Sequence, residues 1–80
     1  MENELLANLD KLHTTELGIR RIKNNLTLDT DDVVAWCRLK TEKANNITRK
    51  GKNWYVYVDN AILTINAHSF TIITAHKEKV

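Results

Sequence analysis

The feature that most constrains this chain is a change of hydrophobic period at Ala44-Asn45-Asn46. Before it, apolar residues return at helical spacing. After it they alternate with polar residues every second position, and β-branched and aromatic side chains dominate. Three turn signals, Gly51-Lys52, Asp59-Asn60 and Ala67-His68-Ser69, cut this second half into Ile47–Lys50, Trp54–Val58, Ala61–Asn66 and Phe70–Ala75. Turns this short join only antiparallel neighbours, so a four-stranded antiparallel meander is expected.

In the first half, Leu5, Leu6, Leu9 and Leu12 share one helical face, which predicts a first helix from about Glu2 to Leu12. A Thr N-cap at Thr14-Thr15 and the spacing of Leu17, Ile19, Ile22 and Leu26 predict a second, ending near Asn24-Asn25 and weakened by Gly18. Asp29 or Thr30 offers a cap for a third over Asp31–Thr41. There, Asp31 and Asp32 meet the positive end of the helix dipole, and Arg38, Lys40 and Lys43 meet the negative end. The expected fold is α+β, with three N-terminal helices packed on one face of the sheet. At 80 residues it forms one domain, 1–80, with a helical half 1–44 and a sheet half 46–76. A core this small gains stability from a partner or a second copy, so a homodimer is an expectation too.

A two-residue hairpin at Asp59-Asn60 places Val58 opposite Ala61, Val56 opposite Leu63 and Trp54 opposite Ile65, giving one apolar face for the helices to cover. The other face then carries Tyr55, Tyr57, Ile62, Thr64 and Asn66, a mixture that packing does not require.

With 42% hydrophobic and 28% charged residues the chain is in the globular range. No apolar run approaches the ~20 residues needed to span a bilayer, and Met1–Asp10 lacks the pattern of a signal peptide. A lone cysteine, Cys37, fits a reducing compartment, so a cytoplasmic location is expected. Neither the histidines nor Cys37 have the paired spacing of metal ligands, and nothing calls for a cofactor. The net charge of +2 is unevenly spread: residues 1–40 carry −1 and residues 41–80 carry +3, so an anionic partner would meet the sheet half.

Two chemistries fit that half. Arg49, Lys50 and Lys52 on a tight hairpin beside Tyr55 and Tyr57 pair cations with aromatic faces. This suits RNA, through phosphate attraction and base stacking, or an acidic protein partner. Lysines on a turn also guard an edge strand against aggregation. Alternatively, His76 and His68, with Thr74 and Arg49, supply the acid, base and cation that a metal-independent ribonuclease needs. A third possibility is a phage or host regulator that works by docking its sheet on another protein.

The segments Thr15-Glu16-Leu17-Gly18, Arg21-Ile22, Asn25-Leu26, Val33-Val34-Ala35-Trp36-Cys37, Arg49-Lys50-Gly51-Lys52-Asn53-Trp54-Tyr55-Val56 and Thr71-Ile72-Ile73-Thr74-Ala75-His76-Lys77 together resemble a family of small bacterial proteins of unknown function, family 3781 of that series. This resemblance covers nearly the whole chain. It implies a bacterial, Gram-positive or phage-related source, and brings no activity, cofactor or site residues. A looser likeness of architecture is to the RelE, barnase, EndoU and colicin nuclease domains. There helices precede a four-stranded antiparallel sheet whose last strand ends with a hydroxyl residue, the place Thr74 would take.

Overall fold

A computed structural model describes residues 4–78. Two α-helices, α1 (Glu16–Leu26) and α2 (Val33–Glu42), precede strands β1 (Asn46–Lys50), β2 (Asn53–Val58), β3 (Ala61–Asn66) and β4 (Ile72–Lys77). The strands form one antiparallel sheet in the order β1-β2-β3-β4, the expected meander. Val58 pairs with Ala61, Val56 with Leu63 and Trp54 with Ile65, the register that a two-residue turn dictates. Asp59 and Asn60 both have positive φ, 47° and 61°, as the type I′ hairpin needs.

Two helices, rather than three, cover the sheet. The first expected helix is instead a 3-10 segment, Leu6–Lys11, broken by non-helical backbone at Asn8. The start of that expected helix, at Glu2, lies outside the described residues. Of the four leucines expected on one face, Leu5 and Leu12 are buried and Leu9 is partly buried against the core, but Leu6 is exposed, and burial alone does not make an α-helix. Asn8 turns its amide back to the Glu4 carbonyl, the local competition that makes Asn a poor helix former. Leu5 gives no side-chain cap, the Leu9 carbonyl accepts from both Leu12 N and Arg38 Nε, and Leu12 is extended so that the next residues can run beside β4.

The real helices start as side-chain caps direct. Thr15 Oγ1 accepts from Gly18 N at 3.0 Å, and Asp32 Oδ1 accepts from Ala35 N at 2.9 Å. Asp32, not Asp29 or Thr30, is therefore the cap of α2. Thr30 supports it one step upstream by accepting from Asp32 N. Gly18 has a packing role that its low helix propensity hides. A Cβ there would collide with Thr14 Oγ1, which donates to the Ile72 carbonyl at 2.7 Å.

The two edges of the sheet are treated differently. Along β4, His13 forms a parallel bridge to Thr71, donating to the Phe70 carbonyl and accepting from Ile72 N; Asn25 Nδ2 donates to the Ala75 carbonyl. These contacts bind the helical half to that edge and block further strand addition. No backbone hydrogen bond covers the outer side of β1 among the described residues.

β4 starts two residues later than the sequence suggests. Asn66 Oδ1 accepts from His68 N and Ser69 N and holds the preceding loop, and Phe70 sits at φ 59° with its ring 5.5 Å from that of Trp54. A bulge then shifts the β3–β4 register between Thr64 and Ile65, so Ile73 turns out to solvent while Ile72 and Ala75 both remain buried. The core joins Trp54, Val56, Leu63, Ile65, Ile72 and Ala75 of the sheet to Leu5, Leu12, Ile22, Val33 and Cys37.

Candidate nucleic-acid interface on the open sheet face

Because side chains alternate across a strand, the register fixes what the uncovered face presents. Three cross-strand rows result. Asn46, Tyr57, Ile62 and His76 make the first; Thr48, Tyr55, Thr64 and Thr74 make the second; Lys50, Asn53 and Asn66 make the third. None of the four strands contains an Asp or Glu. The face thus carries Lys50 and His76 as cationic or protonatable groups, Asn and Thr as hydrogen-bonding groups, and two aromatic rings.

The two tyrosines are half-buried, and a shallow depression of about 310 Å³ between Thr48, Lys50, Tyr55 and Tyr57 opens beside them. Thr64 is only 8% exposed although no helix covers it; its neighbours Tyr55 and Thr74 on the same row shield it, so the middle of the face is closely packed. Asn53 Oδ1 is buried without a hydrogen-bond partner, alone in this among the described side chains. A buried acceptor of this kind costs roughly 1–3 kcal/mol until a donor reaches it. It lies on the row of Lys50.

The basic hairpin divides between the two sides. Lys50 is on the open face, and Lys52 is in the exposed two-residue turn behind Gly51, whose φ of 57° suits the first position of a type II′ turn. Arg49 pairs with Trp54 and so stands on the helix side. Its guanidinium lies 5.5 Å from the Trp54 ring, and Nε donates to the Gly51 carbonyl. This cation stacks on a core indole and stiffens its own turn.

Thr74 and His76 share the open face on β4. Arg49 is three strands away, ~14 Å, and on the other side of the sheet. His68 is in the β3–β4 loop, beyond the opposite end of that hairpin from His76. Thr74 and His76 are therefore brought together, and Arg49 and His68 stand apart from them and from each other.

One arrangement has no local signal in the sequence. His13 Nδ1 lies 2.9 Å from the Lys11 carbonyl, so Nδ1 carries a proton and Nε2 accepts from Thr71 Oγ1 at 3.0 Å in the neutral ring. Thr71 Oγ1 in turn lies 2.7 Å from Ser69 Oγ. This exposed chain, from residues 58 apart, pins the β3–β4 loop to the segment before α1. Only the extended backbone at Leu12 and the bridge to Thr71 bring it about.

Cys37 lies at the centre of the core, where burial pushes its thiol up to about 12. It is a packing residue that stays protonated. Among the described residues no three His, Cys, Asp or Glu side chains group as a metal site, and no helix is long and apolar enough to cross a membrane.

No curated protein and no solved structure matches this chain. Residues 6–76 match the family described as "Protein of unknown function (DUF3781)". The match covers most of the chain and includes both helices and nearly all of the sheet, and the chain belongs to that family.

Proposed function

We propose that this protein is a non-enzymatic binding module that holds a short single-stranded RNA segment across its open sheet face. The observation that carries the reading is the company of Tyr55 and Tyr57: two aromatic rings at i and i+2 of an inner strand, on a face whose strands bear no carboxylate. Aromatic side chains on a sheet offer successive stacking surfaces to unpaired bases, and every base has a face to stack. Lys50 beside the depression, and Lys52 at the tip of the hairpin, attract the phosphates.

The separation of His76, His68 and Arg49 favours binding without turnover. A ribonuclease needs its base, acid and cation within hydrogen-bond reach of one phosphate, and these three groups lie on different edges, ends and faces.

Fluorescence anisotropy with a labelled single-stranded RNA oligomer in EDTA tests the reading, followed by a gel of the same sample. Binding without shortening is expected, with Tyr55→Ala and Tyr57→Ala each weakening it about 5- to 100-fold, the range for one lost base stack. Intact binding in the double variant would refute the assignment to this face. Shortened RNA would point to catalysis, and absence of binding would direct the search to an acidic protein.

A further inference from the structure

The free edge of β1 is short and its backbone directions are fixed. Both hairpin turns that flank β2 have two residues, so their closing pairs, Lys50–Asn53 and Val58–Ala61, are hydrogen-bonded pairs. By alternation, Asn46, Thr48 and Lys50 direct their backbone amides and carbonyls to β2, and Ile47 and Arg49 direct theirs outward. Among the described residues nothing outside the strand bonds to those outward groups. At one end the chain turns inward, with Asn45 N donating to the Tyr57 carbonyl at 2.8 Å, and at the other it enters the Gly51-Lys52 turn. The stretch left to pair is Asn46–Lys50.

Cations on an edge strand ordinarily repel a second strand. Here the Arg49 guanidinium is drawn inward, 5.5 Å from the Trp54 ring of β2, and its Nε donates to the Gly51 carbonyl, so this charge is held over its own sheet. The stretch also complements itself. Antiparallel pairing of two copies about a two-fold axis at Thr48 sets Thr48 opposite Thr48, Ile47 opposite Arg49 and Asn46 opposite Lys50. Ile47 and Arg49 then exchange all their outward donors and acceptors across the axis. No like charges face each other, Thr–Thr is a favourable cross-strand pair, and the two Lys50 Cα atoms lie ~14 Å apart, beyond the Debye length at physiological salt. A register centred on Arg49 sets arginine against arginine. One centred on Ile47 sets Arg49 against Asn45, whose amide is already committed to Tyr57.

We infer that this protein forms a symmetric homodimer through β1, which joins two four-stranded sheets into one of eight strands. The interface is small and belongs to the weak, reversible class. The depression bounded by Thr48, Lys50, Tyr55 and Tyr57 lies at this edge, and Asn46 and Thr48 of the second copy stand along its outer side in the dimer. The inference depends on the β1 edge alone, so it stands or falls independently of RNA binding.

Disulfide crosslinking of the full chain, without RNA, tests it. Cys37 is buried, which leaves an introduced cysteine as the reactive thiol. Thr48 and its symmetry mate form a non-hydrogen-bonded pair with Cα atoms about 4.5 Å apart, within the range of a disulfide. Thr48→Cys is therefore expected to give a covalent dimer on mild oxidation. Asn46→Cys and Lys50→Cys should each stay monomeric alone, being ~14 Å from their own mates, and should crosslink when the two variants are mixed. Sedimentation of the parent should show a monomer–dimer equilibrium, and Thr48→Lys, which sets like charges on the axis, should shift it to monomer. The inference is overturned if Thr48→Cys crosslinks no faster than Asn46→Cys alone, if the mixed variants fail to crosslink, or if the parent is a monomer at about 1 mM, the weak end of specific association.

Discussion

Replacing Lys50, Lys52 and Arg49 by glutamine, one at a time, separates three neighbouring cations by the face they serve. Lys50 is on the open face and Lys52 is in the exposed turn, whereas Arg49 is on the helix side with its guanidinium over Trp54. Each phosphate neutralised on a single strand contributes about −0.7 to the slope of log K against log salt. Two contacts give a slope of about −1.4, and raising salt from about 50 to 200 mM lowers affinity by roughly sevenfold. Lys50→Gln or Lys52→Gln should each halve the slope to about −0.7, while Arg49→Gln should leave it near −1.4. Arg49→Gln instead costs stability, about 0.5–1 kcal/mol, through the lost contact with the indole. Anisotropy titrations of labelled single-stranded RNA at four or five salt concentrations give the slopes, and thermal melts of the same variants give the stability. The reasoning is refuted if Arg49→Gln flattens the slope as much as Lys50→Gln does, or if the parent slope is near zero.

Two further predictions concern the scaffold. Cys37 is fully buried with its thiol raised from 9.0 to about 12, so at pH 8 its thiolate fraction is about 1000-fold below that of an ordinary cysteine. Labelling by a disulfide reagent should be slow and track unfolding. Because the raised value means that the folded state holds this proton more tightly, stability should be level below pH 9.0 and decline as pH rises from there toward 12. Rapid native-state labelling at pH 8 would contradict this. At the close approach between α1 and the β4 edge, Gly18→Ala should destabilise by about 1–3 kcal/mol, as overpacking does, despite the better helix propensity of alanine. Thr14→Ala combined with Gly18→Ala should recover most of that loss in a denaturant melt; full destabilisation in the double variant would show that Thr14 Oγ1 is not the obstruction.

What was legible in the sequence follows from how local each determinant is. The meander and the β2–β3 register depend on Asp59-Asn60 and on strict alternation, both contained within a dozen residues, and the pairs Val58–Ala61, Val56–Leu63 and Trp54–Ile65 stand as the turn implies. Thr15 capped its helix for the same reason. The segment around Leu5–Leu12 misleads because its leucines have helical spacing, yet Asn8 competes for the backbone and the chain must extend at Leu12 to reach β4. Such a tertiary demand leaves no periodic trace.

At β4, the apolar pair Ile72-Ile73 does not say which member faces the core, and the bulge decides it. The candidate interface was half visible. Tyr55 and Tyr57 alternate with buried Trp54 and Val56, but reading Arg49, Lys50 and Lys52 as one cluster groups residues that the same alternation divides. The contact of His13 with Thr71 depends on elements distant in the chain and had no signal at all.

The central claim is that the open face, and not the helices or the β1 edge, receives RNA. An amide and side-chain NMR map of the protein titrated with a single-stranded oligonucleotide tests this most directly. The account predicts shifts along the rows of Tyr55, Tyr57, Lys50 and Asn53, with α1 and α2 unmoved; shifts concentrated on the helices, or none on the tyrosine rings, would contradict it.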